Sequence, residues 1–352
     1  MKPVWTAGVG TLAAIMILGC GKPEGSAPAP RAAHPRKPHA VATAPAVFAP
    51  RELKPGEKYK IGFSQCTVKE PWRVLFNELI KREAAKHPEA DLEVQDADDK
   101  TEKQVADVKS FLVRGFDAIL ISPKEAPGLS GVVKEATEKG IPVVVLDRDV
   151  NYKGYPCFVG GDNLKIGRAA GQFAVDALGG AGKAAGIVYE ICGGLASTPA
   201  QERRAGFHEL VDKEPGIKVI GGLDGDWKLN KAQDIMTDAL KSNPKIDLVY
   251  AHNDPMAAGA WQAAKQAGRE SEMKFVGIDG IPQEGALWVK QGKLAATFLY
   301  DPPGAEGLRQ ALHILKTGKP VAARISLETR PITAQTVDSY LAEMSGEPPA
   351  GK

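Results

Sequence analysis

The sequence has almost no net charge. Its 45 Lys and Arg face 43 Asp and Glu, leaving +2 at pH 7. A nucleic-acid binder shows a basic face or stripe, so this balance argues against one. Cysteine is scarce. Four in 352 residues are too few for a disulfide scaffold, and they lack metal-ligand spacing. The apolar run near the start, Val9 to Leu18, is about ten residues long, half of what a bilayer span needs. No G-x-G-x-x-G follows the first strand and no G-x-x-x-x-G-K-[ST] occurs, which weighs against dinucleotide and phosphate-cradling sites. What the chain does have is 38 Gly and 26 Pro, and eight of those prolines crowd between Gly21 and Glu57. The ends therefore differ from the middle. The length suits two domains of about 100–200 residues.

Residues 1–19 carry Lys2 and then the short apolar run, the layout of a secretory signal. The run closes in Ile17-Leu18-Gly19-Cys20. This resembles the bacterial lipobox, which implies cleavage before Cys20 and acyl chains on its sulfur. Two or more chains anchor stably, because each buried methylene contributes about 0.8 kcal/mol. A plain export signal with an incidental Cys is the alternative. From Cys20 to residue 57 the chain is Ala/Pro-rich and reads as a semi-extended tether. His34 and His39 in it read as solvated histidines.

From Tyr59 short apolar runs alternate with amphipathic stretches. Strands are expected at Tyr59–Ser64, Leu92–Gln95, Ala118–Ile121 and Pro142–Leu146. Helices are expected over Trp72–Lys86 and Thr101–Arg114, and in the stretch ending at Lys139. Ala118–Ile121 is continuously apolar, as parallel strands buried on both faces are. The pattern then repeats. Strands are expected at Phe158–Gly160, Gly186–Tyr189, Lys218–Ile220, Leu248–Ala251, Phe275–Ile278 and Leu294–Leu299. Helices are expected at Leu164–Leu178, between the strands from Gly186 to Ile278, and at Gln283–Gln291 and Ala305–Leu315, followed by a tail. The fold class is α/β, with two Rossmann-like parallel-sheet halves facing each other across a cleft. Open parallel sheets bind ligands beyond the carboxyl ends of their strands, so the loops after the strands hold the site.

Those loops carry Glu70, Trp72 and Arg73 after the first strand, and Asp147-Arg148 after the fourth. Arg203 follows in a helix, Trp227 and Asn253 follow later strands, and Asp279 and Tyr300 follow the last two. Hydroxyls donate and accept, so they pair with Asp and Asn acceptors and with Arg donors. The C–H face of a sugar ring packs on an indole. A hydrolase needs a carboxylate pair around the scissile bond; nothing favours Asp147 with Asp279 as one, and no enzyme is expected. Plainer readings stand beside these: Asp147 and Asp279 as turn formers, Asn253 as a helix cap, Arg203 as a surface charge. Trp72 and Trp227 also suit the core, and Glu70 and Tyr300 suit solvated or packed positions. Gln65 is a further candidate for the cleft. His252 is a lone histidine, Arg204 a surface charge, and Trp261 and Trp288 packing residues. No metal or cofactor is expected.

Together, and in order, four segments resemble the type I periplasmic sugar-binding proteins, in the cluster of ribose-binding and galactofuranose-binding members. They are Val145-Leu146-Asp147-Arg148, Gln201-Glu202-Arg203 before Gly206-Phe207, Val249 to Asp254 with Met256, and Val276-Gly277-Ile278-Asp279-Gly280. The resemblance spans about Tyr59 to Leu341. It implies that Asp147, Arg148, Arg203, Asn253 and Asp279 bind hydroxyls and that Trp72 and Trp227 stack on the ring. Trp72-Arg73 resembles the galactofuranose binders. Glu70 and Tyr300 stand where ribose binders use Asn and Gln.

The resemblance further implies two lobes, 58–160 plus 301–328 and 161–300 plus 329–342, then a tail at 343–352. Three hinge crossings would lie near Gly160, Tyr300 and Glu328. It implies an exported, lipid-anchored monomer that closes on a monosaccharide, a pentose or a galactofuranose-like sugar, and delivers it to ABC permease subunits. A receptor for a sensor kinase or chemotaxis system would carry the same sequence. A transcription regulator would need an N-terminal helix-turn-helix where this chain has its signal and tether. Cys66, Cys157 and Cys192 read as small buried residues, with a Cys157–Cys192 bridge as the alternative.

Overall fold

A computed structural model describes residues 48–319 and 322–345. The expected signal segment, Cys20 and the expected tether up to residue 47 lie outside the described residues, as do residues 346–352.

The first half alternates strand and helix: β1 (Tyr59–Gln65), α1 (Pro71–Ala84), β2 (Ala90–Asp96), α2 (Thr101–Val113), β3 (Ala118–Ser122), α3 (Ala126–Glu138), β4 (Val143–Leu146) and β5 (Cys157–Gly161). The second continues with α4 (Asn163–Ala177), β6 (Ala185–Cys192), α5 (Thr198–Val211), β7 (Gly216–Asp224), α6 (Leu229–Ser242), β8 (Leu248–Ala251), α7 (Asp254–Gln266) and β9 (Lys274–Val276). A π-helical turn at Pro282–Ala286 leads into α8 (Leu287–Lys290). Then come β10 (Ala296–Phe298), α9 (Gly304–Thr317), β11 (Arg324–Leu327), β12 (Pro331–Thr333) and α10 (Val337–Ser345).

The strands form two six-stranded sheets, ordered β11-β5-β4-β3-β1-β2 and β12-β10-β9-β8-β6-β7. All pairs are parallel except β10 with β12. The chain passes between the sheets three times: after β5, after β10 and after β11. The central strands are buried on both faces, as their unbroken apolar runs require. In the first sheet, Phe63, Phe76, Leu146 and Leu312 fill one face, and Phe111, Leu129, Val145 and Phe158 fill the other.

Local chemistry sets the helix starts. Pro71 opens α1 without needing an N–H partner. Asp162 caps α4 by accepting from the Lys165 amide at 2.9 Å. Helices α4 and α5 lie close, because a Cβ on Gly206 would strike the Leu164 carbonyl.

Three elements were absent from the expectation: β11, β12 and α10. β11 is an edge strand with no buried residue, and β12 is only three residues long, so neither carries an apolar signature. The expected single helix at Gln283–Gln291 is instead the π turn plus α8. β7 runs longer than expected, through Gly221 and Gly222, whose positive φ accompanies a register shift opposite Glu190 and Ile191. Of the stretch read as a tether, residues 48–57 include packed groups. Phe48 is buried, the Arg51 amide donates to Leu315 O at 2.8 Å, and the Arg51 guanidinium pairs with Asp117. An aromatic and a pairable cation outweigh the Pro-rich composition there.

Candidate ligand site in the cleft

The loops at the carboxyl ends of both sheets meet around a small cavity. Glu70, Trp72, Arg73, Asp147, Arg148, Arg203, Trp227, Asn253, Asp279 and Tyr300 all line it, together with Pro199.

On the first-sheet side the cavity wall is a clasp around Asp147. This residue follows β4 in the left-handed region, at φ 63°. Its carboxylate accepts from Arg73 Nη2 at 2.6 Å and from the Tyr300 hydroxyl at 2.6 Å. Burial pushes the Asp147 carboxyl up, but Arg73, Arg148 and the Tyr300 hydroxyl outweigh it and hold it below its usual range. Arg73 also donates to Ser122 Oγ at 2.8 Å and to Gln65 Oε1 at 3.3 Å. Gln65 is therefore a support beneath the site and does not line the cavity. Trp72 stacks on Tyr300 at 5.1 Å between ring centroids and donates its Nε1–H to Tyr300 O at 2.6 Å. Arg148 donates to Lys124 O at 3.1 Å and lies 5.3 Å from the Trp227 ring.

On the other side, Arg203 is almost fully buried. Its Nε donates to Asn163 Oδ1 at 2.9 Å and its Nη1 donates to the His252 carbonyl. Its guanidinium lies over the Tyr300 ring at 4.4 Å and the Trp227 ring at 5.4 Å. Asn253 does cap α7, accepting from the Met256 amide at 3.0 Å, and it also donates to Trp227 O at 3.2 Å. Trp227, at φ 66°, lies against Gly193, where any Cβ would strike the indole. Asp279 is 6% exposed, and among the described residues its carboxylate has no hydrogen-bond partner. Burial and the neighbouring Asp254 carboxylate raise its pKa well above the usual range. Glu70 Oε2 and Trp227 Nε1 are likewise buried without partners.

Sequence reasoning missed Pro199, Asn163, Ser122 and Gly193. Each acts by shape or by orienting another side chain, and none has a chemistry that singles it out in a sequence. His252 presents its carbonyl to Arg203, while its ring lies 3.2 Å from Glu190 Oε1. Glu190, Cys192 and His252 converge as a mixed set of potential metal ligands. The Arg204 guanidinium already meets that set, at 2.8 Å from Glu190 Oε2 and 3.2 Å from Cys192 Sγ. Arg204, read as a surface charge, thus pairs with a buried carboxylate. Burial pushes Glu190 up, but His208, His252 and Arg204 outweigh it and bring it to about 2. Cys66, Cys157 and Cys192 are free and buried. The Cys157–Cys192 bridge does not form: both thiols are free, one at the start of β5 in the first sheet and the other at the end of β6 in the second. Trp261 lies outside the cavity, between Lys265 and Lys293, and Trp288 lies outside it on α8.

Two parallel-sheet lobes, crossed three times by the chain and meeting at a polar and aromatic cavity, define a class of proteins that enclose a small solute. The chain belongs to the periplasmic binding protein domain family, whose model matches residues 61–320, and within it to the type I sugar-binding cluster of ribose and galactofuranose binders. It is 31% identical to the ribose import binding protein RbsB of Bacillus subtilis over 279 residues, which is 78% of this chain and 88% of that protein. It is 36% identical to the galactofuranose-binding protein YtfQ of Escherichia coli over 230 residues, 63% of this chain and 71% of that one. Among solved structures it resembles the fructose-binding periplasmic domain of a hybrid two-component system. The TM-score is 0.78 and the identity 38%, with 82% of this chain and 95% of that one covered.

Proposed function

We propose that this protein is the substrate-binding lipoprotein of an ABC sugar importer. It takes a monosaccharide, a pentose or a galactofuranose-like sugar, between lobes 58–160 plus 301–328 and 161–300 plus 329–342. The observation that carries this reading is the lining itself. Three guanidinium groups, three carboxylates and two indoles converge in one cavity, and the Asp279 carboxylate lacks a hydrogen-bond partner. Balanced charge suits an uncharged ligand, and hydroxyls donating to Asp279 and accepting from Arg148 and Arg203 would each contribute about 1.5–3 kcal/mol. The relatives named for ribose and galactofuranose support the same class. In this reading Cys20 holds the acyl anchor, and closure follows from contacts made by both lobes to one ligand. The permease subunits then receive the closed, monomeric form. A sugar receptor for a sensor kinase is the second reading, favoured by the 38% identity to the sensor domain.

A thermal-shift panel of pentoses, hexoses and furanosides tests the ligand class. A monosaccharide is expected to raise the melting temperature. Silence across the sugars, with a shift from amino acids or nucleosides instead, would overturn it.

A further inference from the structure

Four charged side chains bridge the two sheets beside the cavity without lining it. Asp99 follows β2 and Lys124 follows β3, both at the carboxyl end of the first sheet. Asp226 and Lys228 lie between β7 and α6, at the carboxyl end of the second. Lys124 Nζ lies 2.6 Å from Asp99 Oδ1 and 3.1 Å from Asp226 Oδ1. Lys228 Nζ lies 2.7 Å from Asp226 Oδ2 and 3.1 Å from Asp99 Oδ2. Each lysine thus touches one carboxylate of its own half and one of the other, and each carboxylate does the same. The four form a closed ring of alternating charge, with two of its four links crossing between the sheets.

Two features set this ring apart from scattered surface pairs. Lys124, Asp99 and Asp226 are only 21–23% exposed, so screening is reduced. Both aspartates also sit in left-handed backbone, at φ 62° for Asp99 and 49° for Asp226, a conformation other side chains rarely adopt. The loops hold the carboxylates in place for the lysines. Asp226 and Lys228 also flank Trp227, so the ring and the ring-stacking indole share one loop.

We infer that Asp99, Lys124, Asp226 and Lys228 form an electrostatic latch that sets ligand affinity by favouring the closed state, without touching the ligand. Opening the lobes breaks the Lys124–Asp226 and Lys228–Asp99 links together. A ligand that binds only the closed form gains apparent affinity in proportion to how much of the free protein is already closed. The inference rests on the two-lobe clamp reading and not on which sugar is bound. It carries a specific consequence: an uncharged ligand will bind with a salt-dependent affinity.

The test has two arms. In the first, small-angle scattering of the ligand-free protein is followed from about 0.01 M to about 1 M NaCl, over which the Debye length falls from roughly 30 to 3 Å. The wild-type radius of gyration is expected to rise with salt, and Lys124→Met and Lys228→Met are each expected to start at the higher value and stay there. In the second, D-ribose and a methyl galactofuranoside are titrated at both salt levels. Wild-type affinity is expected to fall about three- to tenfold with salt, and Lys124→Met to be weak and salt-independent. A radius unaffected by salt and by both substitutions overturns the latch, as does a Lys124→Met variant that keeps the wild-type salt dependence. If neither sugar binds, the scattering arm still decides, so a failed latch and a failed ligand class are separately visible.

Discussion

A buried carboxylate without a hydrogen bond destabilises the fold that holds it. Asp279 is in that position. It follows β9, beside Gly280, and burial and Asp254 hold its carboxyl above the usual range. The consequence for pH has a definite sign. The folded state keeps the proton that the unfolded state loses near 3.8, so the Asp279 penalty is absent below that value and grows as pH rises toward the folded value. Asp279→Asn is therefore expected to stabilise the ligand-free protein at pH 7, by about 1–3 kcal/mol in urea denaturation, and to leave it unchanged near pH 3.5. The same variant should lose its thermal response to sugar. A ligand-free protein destabilised at pH 7 would show that Asp279 has a partner in solution. Asp147 is the opposite case, because Arg73 and Tyr300 already satisfy it. The residue types at both positions were legible in the sequence. That one is satisfied in advance and the other waits was not, since this depends on which side chains converge.

At the scale of elements, the contact between α4 and α5 decides where Arg203 points. Gly206, one turn beyond Arg203, faces the Leu164 carbonyl with no room for a methyl group. Gly206→Ala is expected to cost about 1–3 kcal/mol by overpacking. It should also weaken sugar binding beyond that loss, because Arg203 reaches the cavity only while α5 lies close on α4. Chemical denaturation combined with ligand titration separates the two effects. Unaltered stability and affinity would mean that the helices adjust freely. Element boundaries were largely readable, because strand runs such as Val143–Leu146 and helix breaks such as Gly115 and Gly140 follow from local chemistry. The edge strand β11 and the short antiparallel β12 were not, because pairing partners distant in the chain define them.

Over the whole molecule, polar contacts join the two halves beside the apolar packing at the crossings. The Asp149 amide donates to Thr198 Oγ1 at 2.9 Å, and the Ala126 amide to Ala196 O at 3.3 Å. Tyr300, at the second crossing, joins Trp72 and Asp147 on one side to Arg203 and Asn163 on the other. Interfaces between domains of one chain move relative to one another unless they are large and apolar. In about 1 M NaCl, where charge pairs are screened, a sugar that scores in the thermal panel is expected to reduce the radius of gyration. No change on saturation would exclude closure as the response to ligand.

The sequence by itself determined the α/β class, the doubling of the sheet and ten of the eleven residues that line the cavity. Apolar runs and turn residues act within a few positions, and strand-end loops carry chemistry that residue type reveals. Only the tertiary structure decided which of those side chains are already paired. It also brought Gln65 and Ser122 beneath Arg73, Gly193 beneath Trp227, and two lysines and two aspartates into a ring across the cleft. Those relations depend on distance in space between segments more than 100 residues apart, as for Lys228 and Asp99 at a separation of 129, and no local pattern encodes them.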